Sequence, residues 1–119
     1  MVKSFRDLVV WQKSIKMAIL VYKLTQDFPQ DELYGLTSQM RRAGVSVASN
    51  IAEGHGRNST KEYLRFLGVS RGSNYELQTQ IEIAKSLGFG NDKILTEVES
   101  LSHEVGKMVF GIQESLKAD

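Results

Sequence analysis

The residue types best able to do chemistry in this 119-residue chain gather in one stretch, SVASNIAEGHGR, residues 46–57. It sets Asn50, Glu53, His55 and Arg57 among small residues, which suits a phosphate cradle, a catalytic acid–base site or the close-packed end of a helix. A phosphate loop follows a strand and opens a helix, so that backbone N–H groups point at the anion. Here EGHGR closes an apolar-periodic segment, and no strand pattern precedes it. General acid–base or nucleophilic catalysis needs its groups within hydrogen-bond reach. Glu53 and His55, two apart, face different ways on a helix end, with no nucleophile beside them. A di-metal bundle uses paired Glu-x-x-His motifs. This chain has none, holds 2 His and no Cys, and His103 follows Glu99 by four residues with no second His near. These residues define no catalytic, cofactor-binding or metal site, and the stretch reads as a helix end.

The elements that position it are helical. With 1 Pro and long 3–4 spacings, strands are disfavoured. The spacing predicts helices over about 6–28, 30–54, 60–87 and 92–117. Pro29 suits the first turn of the second helix, with Asp31 and Glu32 near its positive end. Gly54 and Gly56 stand where a left-handed cap would close that helix. Ser59 to Glu62 reads as a capping box opening the third, and Asn91 or Asp92 caps the fourth. Expected stripes are Leu33, Leu36, Met40, Ala43, Val47 and Ile51 on the second helix and Tyr63, Phe66, Leu77, Ile81 and Ala84 on the third. On the fourth they are Ile94, Val98, Leu101, Val105, Met108 and Ile112. Four such helices with short loops predict an all-α fold, an antiparallel up-down-up-down four-helix bundle in a single domain.

The first helix has more apolar surface than one bundle needs. Leu8, Trp11, Ile15, Ala18 and Tyr22 form one stripe; Val10, Met17, Val21 and Leu24 form another. A bundle buries one broad stripe per helix, so the second, Val10, Met17, Val21 and Leu24, is expected at an interface between identical subunits. On the second helix, small residues from Ala43 to Ala52 admit a close neighbour. Arg42, Asn50 and Glu53, with Glu76 of the third helix, are expected to form a partly buried polar network that sets register and association.

Net charge is +1, but it is segregated: residues 1–75 hold 11 Lys or Arg against 6 Asp or Glu, residues 76–119 hold 4 against 8. Such asymmetry suggests a basic face that attracts polyanions. Arg41, Arg57, Lys61, Arg65 and Arg71, with Lys13 and Lys16 of the first helix, are its candidates. Lys61, Arg65, Gly68 and Gly72 share one stripe, two cations beside a flat ledge that a phosphate backbone could approach. No apolar run approaches the ~20 residues that span a bilayer, and the amino terminus lacks a signal-peptide layout, so a cytoplasmic protein is expected.

Three segments carry a family likeness: FRDLVVWQKS, FPQDELYGLTSQMRRAGVSVASNIAEGHGR and STKEYLRFLGVSRGSNYELQTQIEIAKSLGF. Together they resemble the four-helix bundle family of 23S rRNA intervening-sequence proteins, to which accessory proteins of diversity-generating retroelements are similar. The likeness runs over about residues 5–90. It includes Trp11, the Gln39-x-x-Arg42 pair, Asn50 to Gly54, and Gly72-Ser73 with Glu76. It implies a homopentameric barrel without enzymatic activity. For the retroelement branch it also implies RNA or DNA binding and a reverse-transcriptase partner. A module whose helix faces hold only sister subunits or such a partner is the competing expectation.

Overall fold

The two longest helices begin where a side chain satisfies a free backbone donor. The computed structural model describes residues 2–118. They form α1 (Val9–Thr25), α2 (Ser38–His55), α3 (Thr60–Leu87) and α4 (Asp92–Lys117), with no strand among the described residues. Ser59 Oγ accepts from the Glu62 amide at 3.1 Å and Asn91 Oδ1 from the Ile94 amide at 3.0 Å, each satisfying a free donor of a first turn. Glu62 does not reach back to close the box; its carboxylate goes to Arg65 instead. The 28 residues of α3 amount to about 42 Å of helix, close to the 46 Å long axis of the molecule. Each helix contacts the next in sequence, and α4 returns to α1. Bonds from Arg41 to Thr25, Ser46 to Ser73 and Asn74 to Ser102 join successive helices running in opposite directions, and the fold is a four-helix bundle.

Two expected helices are shorter than their patterns. The first begins at Val9, not near 6, because residues 5–7 form a separate 3-10 turn. Ser4 and Asp7 cap that turn reciprocally, and Gln12 Nε2 donates to the Arg6 carbonyl at 2.8 Å. It ends at Thr25, beyond which Phe28 turns inward onto Phe89, ring centroids 5.6 Å apart. The second, expected to run from residue 30, is broken into a 3-10 turn (Gln30–Glu32), a π-helical turn (Leu33–Thr37) kinked at Gly35, and α2. Glu32 causes the restart: its carboxylate folds back to accept from the Leu36 amide at 3.1 Å, over the side of Gly35 that lacks a β-carbon.

The left-handed cap falls elsewhere than expected. Gly56 is right-handed, and positive φ occurs at Gly88, which ends α3, and at Gly90. Gly54 serves close approach instead: a β-carbon there would stand 2.8 Å from Phe66 Cβ and 3.1 Å from Tyr63 Cδ1.

The core corrects the reading of α1. Val10, Met17, Val21 and Leu24, expected at a subunit interface, are at most 2% exposed and belong to the monomer's own core, with Met40, Val47, Ile51, Leu67, Leu77, Ile81, Val98 and Val105. Their stripe points between the two neighbours of α1, α2 and α4, so the bundle closes over it. The surplus apolar surface on α1 belongs instead to Val9, Ile19 and Tyr22. On α4 Val98 and Val105 of the expected line are fully buried, and Leu95, Ser102 and Val109 from its flank complete the seam; Ile94, Leu101, Met108 and Ile112 are only partly buried. Several polar groups inside are partnered across helices. Ser70 Oγ donates to the Val47 carbonyl at 2.9 Å, and Asn74 and Ser102 exchange two bonds of 2.9 and 2.8 Å between α3 and α4.

Candidate nucleic-acid interface

The cations expected to form one basic face occupy three places. At the α2–α3 turn, the half-buried Phe66 ring carries Arg65 at 4.3 Å and Arg57 at 4.9 Å from its centroid, with Lys61 one turn before. Residues 61, 65, 68 and 72 are all exposed along one line of α3, and a β-carbon at Gly68 or Gly72 would meet nothing within 4 Å. The open ledge read from the sequence exists. Its arginines are partly neutralised, however: Arg57 pairs with Glu53, and Arg65 makes a two-nitrogen clamp on Glu62. The Arg65 hydrogen bond holds the Glu62 carboxyl below the ordinary glutamate range, and Glu62 raises Arg65 in turn.

Arg71 lies round the bundle, between the rings of Tyr75 and Phe110, 5.6 and 5.1 Å from their centroids; its nitrogens donate to Tyr75 Oη and Gln113 Oε1. His103 and Lys107 of α4 line the same groove. The sequence reading missed this grouping, because Lys107 and His103 become neighbours of Arg71 only once α4 packs on α3. Arg41 is held on the α1 side, stacked on Tyr22 at 4.7 Å and donating to Thr25 Oγ1 at 2.9 Å. Lys13 is tied to Glu104 of α4 at 2.7 Å, whereas Lys16 stands exposed.

The expected polar network is not formed as one unit. Asn50 donates to the carbonyl and hydroxyl of Ser46, whose hydroxyl meets that of Ser73 at 2.8 Å. Glu53 is committed to Arg57 at the exposed helix end. Arg42 and Glu76 do meet, but as walls of an open polar groove between α2 and α3 rather than as an ion pair. On the other side of Arg42, a groove of about 560 Å³ is lined by Tyr22, Leu33, Tyr34 and Val45, with Tyr34 94% exposed.

His55 packs edge-on against Tyr63, and burial pushes the Tyr63 hydroxyl up from its ordinary pKa. Among the described residues no group of three His, Cys, Asp or Glu side chains is placed to hold a metal ion. No described helix is long and apolar enough to cross a membrane.

The class that the structure defines is an all-helical four-helix bundle, one that displays arginines on aromatic rings and has polar and apolar grooves along α2. The chain is a member of the 23S rRNA-intervening sequence protein family, whose model matches residues 6–111. A similar fold is seen in the crystal structure of a protein of unknown function from the S23 ribosomal protein family of Bacteroides thetaiotaomicron. The two share 20% identity at a TM-score of 0.78, over 88% of this chain and 98% of that one. No curated protein matches the chain.

Proposed function

We propose that this chain is a cytoplasmic, non-enzymatic accessory protein that assembles with copies of itself and binds RNA or DNA through its basic surface. The observation that carries the reading is the α2–α3 turn, where Arg57 and Arg65 lie against Phe66 beside Lys61 and the open Gly68–Gly72 ledge. Beyond the nitrogens given to Glu53 and Glu62, each guanidinium has further N–H donors to offer a phosphate, and rings and guanidinium planes give unpaired bases a surface to stack on. Arg71 between Tyr75 and Phe110 repeats the arrangement.

Self-assembly, as a ring of five in keeping with the family likeness, is supported by the exposed Tyr22, Leu33, Tyr34 and Val45 groove rather than by the inner stripe of α1. The same groove would suit a reverse-transcriptase-like partner, and that protein-only reading is the competitor.

Titrating structured RNA at several salt concentrations tests the main reading. The log–log slope is expected near −0.7 to −0.9 per phosphate contact, and Lys61→Ala with Arg65→Ala should make it shallower. Absence of binding at low salt would leave the protein-only reading standing. Light scattering tests assembly, since a mass near one 13.4 kDa chain would rule out the ring.

A further inference from the structure

The exposed line of α3 does not end at the ledge. Tyr75 stands three residues beyond Gly72 and seven beyond Gly68, so it continues the face of Lys61, Arg65, Gly68 and Gly72. All five are exposed, and the line spans about 21 Å of helix. At Tyr75 it runs into the groove between α3 and α4, a space of about 270 Å³ whose other walls include Arg71, His103, Lys107 and Phe110. Gly106 lowers its floor; a β-carbon there would stand 3.3 Å from Asn74 Nδ2.

Charge and rings meet in this groove. No carboxylate lines it, and among the described residues none comes within 4 Å of a nitrogen of Arg71, His103 or Lys107. At the α2–α3 turn, by contrast, Arg57 and Arg65 each hold a glutamate. Arg71 is fixed between the two rings by bonds from Nε to Tyr75 Oη at 3.0 Å and from Nη1 to Gln113 Oε1 at 3.3 Å. A guanidinium has five N–H donors, so most remain for an anion. Tyr75 and Phe110 are nevertheless 52% and 46% exposed, two large rings left in water on either side of one cation.

That combination suits a single strand. Cations track its phosphates while aromatic side chains stack its unpaired bases. Bases in a duplex are stacked on one another and present only their edges in the grooves. Inorganic phosphate or a carboxylate-rich protein segment would engage the cations and leave the ring faces in water. We propose that the α3–α4 groove binds an unpaired nucleic-acid strand that reaches it along the Gly68–Gly72 ledge, with phosphate on Arg71 and Lys107 and a base stacked at Tyr75 and Phe110. This site rests on the nucleic-acid reading above and deepens it, since strand and duplex share the phosphates but only the strand gains the rings.

Three probes of equal length, titrated into the full chain, test it: a single-stranded RNA, the same sugar–phosphate backbone without bases, and the duplex of that RNA. The single strand is expected to bind about 5- to 150-fold tighter than the abasic strand, the range for one base stacked on an aromatic side chain. Tyr75→Ala with Phe110→Ala should erase that margin and leave the abasic strand and the duplex unaffected. Exchanging the two rings, by Tyr75→Phe with Phe110→Tyr, should keep it. Lys107→Ala should make the salt slope of the single strand shallower by about 0.7, one phosphate contact. Tyr75, Lys107 and Phe110 are exposed, so these variants leave the core intact. Equal binding of the single and abasic strands, or a margin that survives the double alanine variant, would overturn the groove and leave the phosphate reading standing. If none of the three probes binds at low salt, the nucleic-acid reading itself falls and the groove with it.

Discussion

Three glycines test the packing around α3, because alanine at Gly54 should act in the opposite direction from alanine at Gly68 or Gly72. Gly54 lies next to the last residue of α2, against α3. Its added methyl would fall 2.8 Å from Phe66 Cβ, 3.1 Å from Tyr63 Cδ1 and 3.3 Å from the Tyr63 carbonyl oxygen. Phe66 Cβ and the Tyr63 carbonyl are fixed by the α3 backbone, so the helices must separate. Overpacking of this kind costs about 1–3 kcal/mol. The propensity gain of alanine over glycine, about 1 kcal/mol in a helix interior, is smaller at a helix end. A net loss of about 1–2 kcal/mol is expected for Gly54→Ala, or roughly 4–8 °C in melting temperature for a domain of this size. Gly68 and Gly72 sit mid-α3 with nothing within 4 Å of the added methyl, so each alanine should stabilise by about 0.5–1 kcal/mol. Urea unfolding followed by far-UV circular dichroism, at one fixed protein concentration, measures all three. A Gly54→Ala protein as stable as the parent would refute the close α2–α3 approach. A Gly68→Ala, Gly72→Ala double variant less stable than the parent would mean that another molecule covers the ledge.

Placing an ammonium at the fully buried Val21 should remove the folded monomer altogether, since an unpaired buried charge costs about 3–5 kcal/mol; a Val21→Lys protein that kept its helical signal and only lost mass in light scattering would restore α1's inner stripe to a subunit interface. Asn74→Ala deletes both bonds to Ser102 across α3 and α4, and denaturant titration should show a loss of about 2–4 kcal/mol, whereas a change within error would deny that layer a structural role. The Glu62 carboxyl is held low by Arg65, so its contribution is present above the ordinary glutamate pKa of about 4.3 and is lost as pH falls through the depressed value. Glu62→Gln should therefore flatten the acid limb of a stability–pH curve and, by freeing Arg65, tighten RNA at neutral pH; weaker RNA binding would argue against the α2–α3 turn as the contact.

The bundle and its order were legible in the chain because they rest on local rules. Ser59 and Asn91 cap where their side chains say they should, and 3–4 periodicity marks each helix regardless of its neighbours. Periodicity does not say which of two apolar stripes faces inward. Val10, Met17, Val21 and Leu24 could be assigned to the core only once α2 and α4 closed on both sides of α1, and a similar ambiguity left Leu95, Ser102 and Val109 out of an α4 seam that Val98 and Val105 already marked. The break at Gly35 was hidden because Leu33, Leu36 and Met40 keep a helical spacing across it, while the Glu32 carboxylate that restarts the helix leaves no periodic trace.

The candidate site divides in the same way. Lys61, Arg65, Gly68 and Gly72 lie along a single helix, so their spacing alone determined that they share an exposed line. Arg71 with Lys107 and His103, and Arg42 with Glu76, join residues far apart in sequence. Spacing along one helix fixes a direction around that helix and carries no information about the rotation of the helix it packs against, so those groupings were decided by the tertiary structure alone.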